Sequence, residues 1–248
     1  MRARATWLMA GGLLVAFLLI AASSVLWCGI KHGRFETIEY DFPEALSHKQ
    51  RIVVYLPPNY PRDAPYSVLY LLHGAGDDEN GWQEQGAIGS LLDRLYAEKK
   101  IVPMIVVMPN AQGRSGVFEH DLLEKVIPYV ESHYVARGDA QHRAIAGSSL
   151  GAWQALGIGL RHPDRFAWVG GFSPAMEDVL PAHYSGRLKL LWLSTGDRDQ
   201  CKILDESLHR TLETGGIPHV WRVLPGEHDW PLWKENLRQF TPLLFHRQ

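Results

Sequence analysis

The chain has 248 residues, of which 46% are hydrophobic and 21% charged, and its formal net charge is -2. That is enough apolar material for one domain with a sizeable core, and it excludes an intrinsically disordered chain. The near-neutral balance, with no clustered Lys/Arg stripe, lacks the basic surface that a phosphate backbone demands, so no nucleic-acid partner is expected. With only Cys28 and Cys201 present, a disulfide framework is not what holds the fold together.

Taken in order, the chain opens with Arg2 and Arg4 and then an uncharged run over residues 7–30, the charged-then-apolar order of an export signal. The run exceeds a usual signal core and reaches the roughly 20 residues needed to cross a hydrocarbon layer. Residues 1–30 are therefore expected to be a signal peptide or a signal anchor, and residues 31–248 a catalytic domain outside the cytoplasm, membrane-anchored or secreted/periplasmic. Ala21, Ala22, Ser23 and Ser24 are small enough for cleavage, while Lys31 and Arg34 blunt the charge asymmetry that sets orientation.

From Phe35 onward, short β-branched and aliphatic runs alternate with amphipathic stretches, the pattern of a sheet covered by helices. Strands are predicted at 36–41, 51–56, 67–73, 104–108, 143–147, 168–172, 188–194 and 220–224. Helical spacing predicts helices at 90–99, 119–133, 150–161, 202–214 and 232–244. Several strands are apolar almost throughout, as strands buried on both faces of a mostly parallel sheet must be. Pro57-Pro58 and Pro61 mark a turn. Only residues 173–187 separate two strands after position 172, too few for a lid domain, which favours soluble or polymer-attached substrates that arrive from solvent.

The strongest motif is Gly147-Ser148-Ser149-Leu150-Gly151, set directly between a strand and a helix. A nucleophile on so sharp a turn needs small neighbours two positions either side, and Gly147 and Gly151 supply them for Ser149. Ser148 lacks that spacing. The turn puts Ser149 at a helix N-terminus, where free N–H groups can stabilise an oxyanion. A hydroxyl needs a base, with an acid between them in chain order. The strand over 188–194 leads into Thr195-Gly196-Asp197-Arg198-Asp199, giving Asp199 as the acid and Asp197 as the reserve. The strand over 220–224 leads into Pro225-Gly226-Glu227-His228-Asp229-Trp230, giving His228 as the base; Glu227 and Asp229 read as solvated loop charges.

Leu71-Leu72-His73-Gly74-Ala75-Gly76 follows another buried strand, and its glycine turn can aim the N–H of Ala75, or of Gly76, at the developing oxyanion alongside the N–H of Leu150. His73 reads as a loop-shaping residue, and Asp77 to Asn80 as a solvated loop without the ligand spacing of a cation site. Cys201 reads as a half-buried packing residue. Trp82, Trp230 and Trp233 fall near the site loops, where they could stack on an aromatic or sugar group or simply pack.

Arg51-Ile-Val-Val-Tyr-Leu-Pro-Pro-Asn-Tyr60, Leu71-Leu72-His73-Gly74 with Trp82 downstream, the Gly147 to Gly151 motif, Asp199, and Pro225 to Trp230 together resemble the esterase D-like group of α/β-hydrolases. That group includes feruloyl and acetylxylan esterases, S-formylglutathione hydrolase, enterochelin esterases and mycolyltransferases. The resemblance implies an α/β-hydrolase fold with helices on both faces of the sheet and no large lid. It also implies Ser149 as nucleophile, Asp199 as acid, His228 as base, and Ala75 and Leu150 as oxyanion donors. The stretch 110–117, which in the family helps wall the acyl pocket, is short here.

The expected chemistry is two-step acyl transfer without cofactor or metal: His228 takes the Ser149 proton, the serine attacks an ester carbonyl, and water releases the acyl group. A small-molecule or carbohydrate-linked ester is the expected partner, with the membrane added if the leader stays uncleaved. Activity is expected to rise with pH as His228 loses its proton, around roughly 6.5 for an ordinary histidine. Two rivals are an acyltransferase using an alcohol acceptor and a non-catalytic, membrane-tethered binding protein on the same scaffold.

Overall fold

Five runs of apolar residues, too short for helices and bounded by turns, build the middle of a single eight-stranded sheet. The computed structural model describes residues 29–44, 48–63, 65–112, 115–175, 184, 186 and 188–246. The chain divides into one unit of residues 1–31 and a second of residues 32–248. Residues 1–28 of the expected leader lie outside the described residues, and among the described residues no helix is long and apolar enough to cross a membrane.

In chain order the second unit runs β1 (Arg34–Asp41), β2 (Lys49–Leu56), β3 (Ser67–Leu72), α1 (Gly81–Glu84), α2 (Ile88–Ala97), β4 (Met104–Pro109), α3 (Ser115–Asp121), a π-helical turn (Leu122–Val126) and α4 (Ile127–His133). It continues with β5 (Arg143–Ser148), α5 (Leu150–Arg161), β6 (Trp168–Phe172), β7 (Leu190–Gly196), α6 (Lys202–Thr214), β8 (Val220–Leu224) and α7 (Trp230–Phe240). The sheet order is β1-β2-β4-β3-β5-β6-β7-β8, antiparallel from β1 through β4 and parallel from there on.

β3, β4 and β5 are buried at every position, because helices cover both faces and alternate side chains feed two cores. Val68, Tyr70 and Leu72 point to one core with Ile145 and Val169; Leu69 and Leu71 point to the other with Trp82, Phe172 and Trp192. β3 is flanked by β4 on one side and β5 on the other, so the chain reverses its winding there. Such a switch point opens a crevice at the strand C-termini, where functional groups of open α/β sheets collect.

Most predicted elements coincide with observed ones, and the differences have local causes. The helix predicted over 119–133 begins at Ser115 and contains the π turn just before Pro128, whose missing N–H cannot serve the carbonyl of Glu124. The last helix starts at Trp230 rather than 232 because Asp229 caps it, its carboxylate accepting the Leu232 N–H at 3.2 Å. It ends at Phe240 rather than 244 because Pro242 follows, leaving a 3₁₀ turn over Thr241–Leu243. β7 runs two residues later than predicted, since its ladder with β8 continues through Thr195 and Gly196. The four-residue α1 was not predicted.

Candidate active site

β5 ends at Ser148 and α5 begins at Leu150, so one residue makes the turn between them. Ser149 adopts φ 52 and ψ -120, a conformation that side chains resist and that persists only where the surroundings enforce it. The enforcement is steric. A Cβ on Gly147 would lie 2.5 Å from the carbonyl group of Gly151, and one on Gly151 would overlap the Leu72 carbonyl at 2.7 Å. Both obstacles are backbone, so only glycine permits the helix to start this close to β3. Ser148 is fully buried, and its hydroxyl has no hydrogen-bond partner among the described residues.

The other two residues predicted from chain order meet Ser149 at the same sheet edge. His228 sits on the loop after β8, with Nε2 at 2.9 Å from the Ser149 hydroxyl and Nδ1 at 3.0 and 3.1 Å from the two Asp199 oxygens. The carboxylate can only accept, so Nδ1 carries the proton and Nε2 is left to accept from the Ser149 O–H. Burial alone would raise the Asp199 carboxyl; hydrogen bonding from His228 and the Cys201 N–H helps outweigh it and hold the group below the usual carboxylate range. The Asp199 side chain has no exposed surface, and that of His228 keeps 16%. An ionised acid thus lies behind an imidazole whose other edge opens toward solvent.

Asp197, the reserve acid, faces elsewhere. Its exposed carboxylate accepts the Gly226 N–H at 2.9 Å and pairs with Arg198, tying down the loop that carries His228 from outside. Glu227 is exposed and pairs with Arg198 at 3.6 Å, whereas Asp229 is the α7 cap rather than a free loop charge.

The turn after β3 lies against Ser149: a Cβ on Gly74 would stand 3.4 Å from that of Ser149. Ala75 and Gly76 form the exposed tip, Gly76 at φ +85. Leu150 is the first residue of α5, so its N–H has no acceptor within the helix. His73 is buried and holds this turn in place, donating from Nδ1 to the Gly74 carbonyl at 2.8 Å and accepting the Ala111 N–H on Nε2 at 2.9 Å. Burial lowers its pKa and keeps it neutral, as both bonds require. Glu79 departs from the expectation of a solvated loop: its side chain is completely buried, paired with Arg51 at 2.8 Å and accepting from Asn110 at 3.0 Å. The chain gives no local sign of that, because both partners are remote in sequence, Arg51 within β2 and Asn110 just after β4.

Cys201 is half-buried, as expected. Trp82 is fully buried with its indole N–H on the Leu72 carbonyl, and Trp233 packs edge-on against His228 at 5.3 Å. Core packing accounts for these two; Trp230, half-buried between them, is the tryptophan with surface left to offer a ligand.

This sheet order, with a serine on a strained strand-to-helix turn backed by histidine and aspartate, defines an α/β-hydrolase. The chain belongs to the Esterase family, described as "Putative esterase", which matches residues 44–198. It is 29% identical over 233 residues to the endo-1,4-beta-xylanase/feruloyl esterase of Xylanibacter ruminicola, a match covering 87% of this chain and 32% of that protein. Against endo-1,4-beta-xylanase Y of Acetivibrio thermocellus it is 25% identical over 172 residues, 64% of this chain and 15% of the other. The chain therefore spans a third or less of these curated relatives. A ferulic acid esterase structure, 27% identical, superposes with a TM-score of 0.77 over 86% of this chain and 97% of that one. The S-formylglutathione hydrolase of Staphylococcus aureus, 19% identical, shares the fold with a TM-score of 0.72, covering 87% of this chain and 100% of its own.

Proposed function

We propose that the chain is a serine carboxylic-ester hydrolase that works through an acyl-enzyme, with Ser149 as nucleophile, His228 as base and Asp199 as the acid that orients it. The observation carrying this reading is the continuous relay from the Ser149 hydroxyl through His228 to Asp199, at 2.9 Å and 3.0 Å. Nε2 takes the Ser149 proton as the oxygen attacks the ester carbonyl, and Asp199 stabilises the imidazolium that forms. The N–H groups of Ala75 and Leu150 are the proposed donors to the tetrahedral oxyanion. Nε2–H then protonates the leaving alcohol, and a water activated by the same nitrogen releases the acid.

The likeness to the Xylanibacter endo-1,4-beta-xylanase/feruloyl esterase supports an aromatic acyl group esterified to a plant polysaccharide as the substrate. Only residues 173–189 lie between β6 and β7, which supports direct access for a polymer. Residues 1–30 are proposed to direct this domain out of the cytoplasm, as a cleaved signal or as an anchor. The test is a panel of methyl ferulate, short-chain and thiol esters on the wild type and Ser149→Ala, with fluorophosphonate labelling. The expected result is Ser149-dependent release of free acid, with the adduct on Ser149. An unlabelled, folded wild type sinks the reading, and ester products in place of free acid when sugar acceptors are added convert it to acyl transfer.

A further inference from the structure

The triad acid has a neighbour that the hydrolytic mechanism does not use. Asp199, Cys201 and His228 each offer one donor atom, and these atoms lie within 4.8 Å of one another. The Cys201 N–H donates to Asp199 Oδ1 at 2.8 Å, which fixes the thiol-bearing residue against the carboxylate. One turn further along α6, Asp205 is fully buried. Its Oδ1 accepts the Ala175 N–H at 2.8 Å. A thiol, an imidazole and a carboxylate therefore converge one helical turn from a second buried carboxylate.

We propose that Asp199, Cys201 and His228 form a binding site for a thiophilic divalent cation, zinc being the species that fits, and that its occupancy switches the esterase off. The donor set decides the metal: sulfur and imidazole nitrogen suit zinc, whereas calcium and magnesium want oxygen. Ligands of a tetrahedral zinc stand about 3.3–3.7 Å apart. The 3.0 Å between His228 Nδ1 and Asp199 Oδ1 opens by a few tenths of an ångström to admit the ion, and water takes the fourth position. Cys201 and His228 are both partly exposed, so the ion has a way in.

The proton balance supplies the switch. The thiol proton leaves to solvent as the Zn–S bond forms. The Nδ1 proton, displaced by the Zn–N bond, moves to Nε2, and the ring stays neutral. Nε2–H then donates to Ser149 instead of accepting from it, so the serine has no base. The Asp205 carboxylate adds negative charge beside the ion without being a ligand.

Two measurements test this, and only the first depends on the esterase reading. In hydrolysis of a p-nitrophenyl ester, zinc inhibits the wild type and EDTA restores it. Cys201→Ala keeps its basal rate and needs at least tenfold more zinc for half-inhibition, with Cys201→Ser as the substitute should the alanine variant fold poorly. Independently, Co(II) added to folded Ser149→Ala protein gives a thiolate-to-cobalt absorption band at one equivalent, absent when Cys201 is replaced as well. Equal zinc sensitivity of wild type and Cys201 variants, or no Cys201-dependent cobalt band, overturns the proposal. A cobalt band in a protein that hydrolyses no ester leaves the metal site standing and sinks the esterase reading instead.

Discussion

The loops after β3 and β8 meet at one edge of the sheet and are held there by opposite means. The β8 loop is pinned by surface chemistry: Asp197 accepts from Gly226, the Arg198 N–H donates to the Gly226 carbonyl at 3.0 Å, and Asp229 caps α7. The β3 loop is pinned from inside, by a neutral histidine with both ring nitrogens engaged and by a buried Glu79 paired across to Arg51 and Asn110. The difference follows the load each carries. The β8 loop has to present an imidazole to solvent, and backbone bonds at the surface suffice. The β3 loop lies against Ser149 beneath it, where an unpaired polar group is expensive, and both His73 and Glu79 are given partners there.

The largest effects fall on the groups the two loops meet. Ser149→Ala is expected to lower ester hydrolysis at least about 10⁴-fold with the melting temperature unchanged within a few degrees, while Ser148→Ala stays within tenfold of wild type. Next, Asp199→Asn is expected to cost about 10³–10⁴ in kcat, because an amide no longer fixes the proton on Nδ1, whereas Asp197→Asn loses less than tenfold. Comparable losses from the two aspartate variants, measured as kcat on one soluble ester, would move the acid's role to the loop as a whole.

The contrast between the loops is also a contrast in what a sequence discloses. Strands buried on both faces declare themselves as apolar runs, and the turn at Ser149 declares itself because its steric demand falls on glycines only two residues away. Asp199 and His228 are legible through chain order after late strands, yet nothing local separates Asp199 from Asp197; the direction of each side chain decides it. Glu79 and Asp205 were hidden for a different reason. A charge is buried by partners remote in the chain, so the run from Asp77 to Asn80 looks the same whether solvated or enclosed. Asp229 did carry a signal: an aspartate just before a Trp-Pro helix start is an N-cap pattern.

Stability separates the two loops at a smaller scale. Replacing Arg51 with Ala leaves Glu79 buried with one weak partner and is expected to cost about 2–4 kcal/mol. Glu79→Gln releases Arg51, whose side chain is half exposed and can return to water, and is expected to cost about 1 kcal/mol. Urea unfolding of both variants checks the asymmetry. Equal costs mean that Glu79 is hydrated in solution and that the β3 loop is held at its surface after all.

An effect of similar small size, but dependent on pH, concerns Asp205, the buried carboxyl on α6. Burial pushes it up to about 6, against the partial opposition of its bond from the Ala175 N–H. In the unfolded chain a carboxyl ionises near 3.9, so between about pH 4 and 6 the native state keeps a proton that the unfolded state has shed. Stability from this group is therefore greatest below pH 4, declines as pH rises toward 6, and levels off above it. Asp121, also raised to about 6 by burial, acts with the same sign, while Asp199 acts in the opposite sense at lower pH. Asp205→Asn keeps an oxygen for Ala175 and never ionises, so it removes one of the two declining contributions. Its stability relative to wild type is expected to be unchanged near pH 4 and to rise by about 1–2 kcal/mol by pH 7, read from melting temperatures across that range. A difference that stays constant with pH means that Asp205 titrates alike in both states, and that the second carboxylate behind Cys201 is open to water.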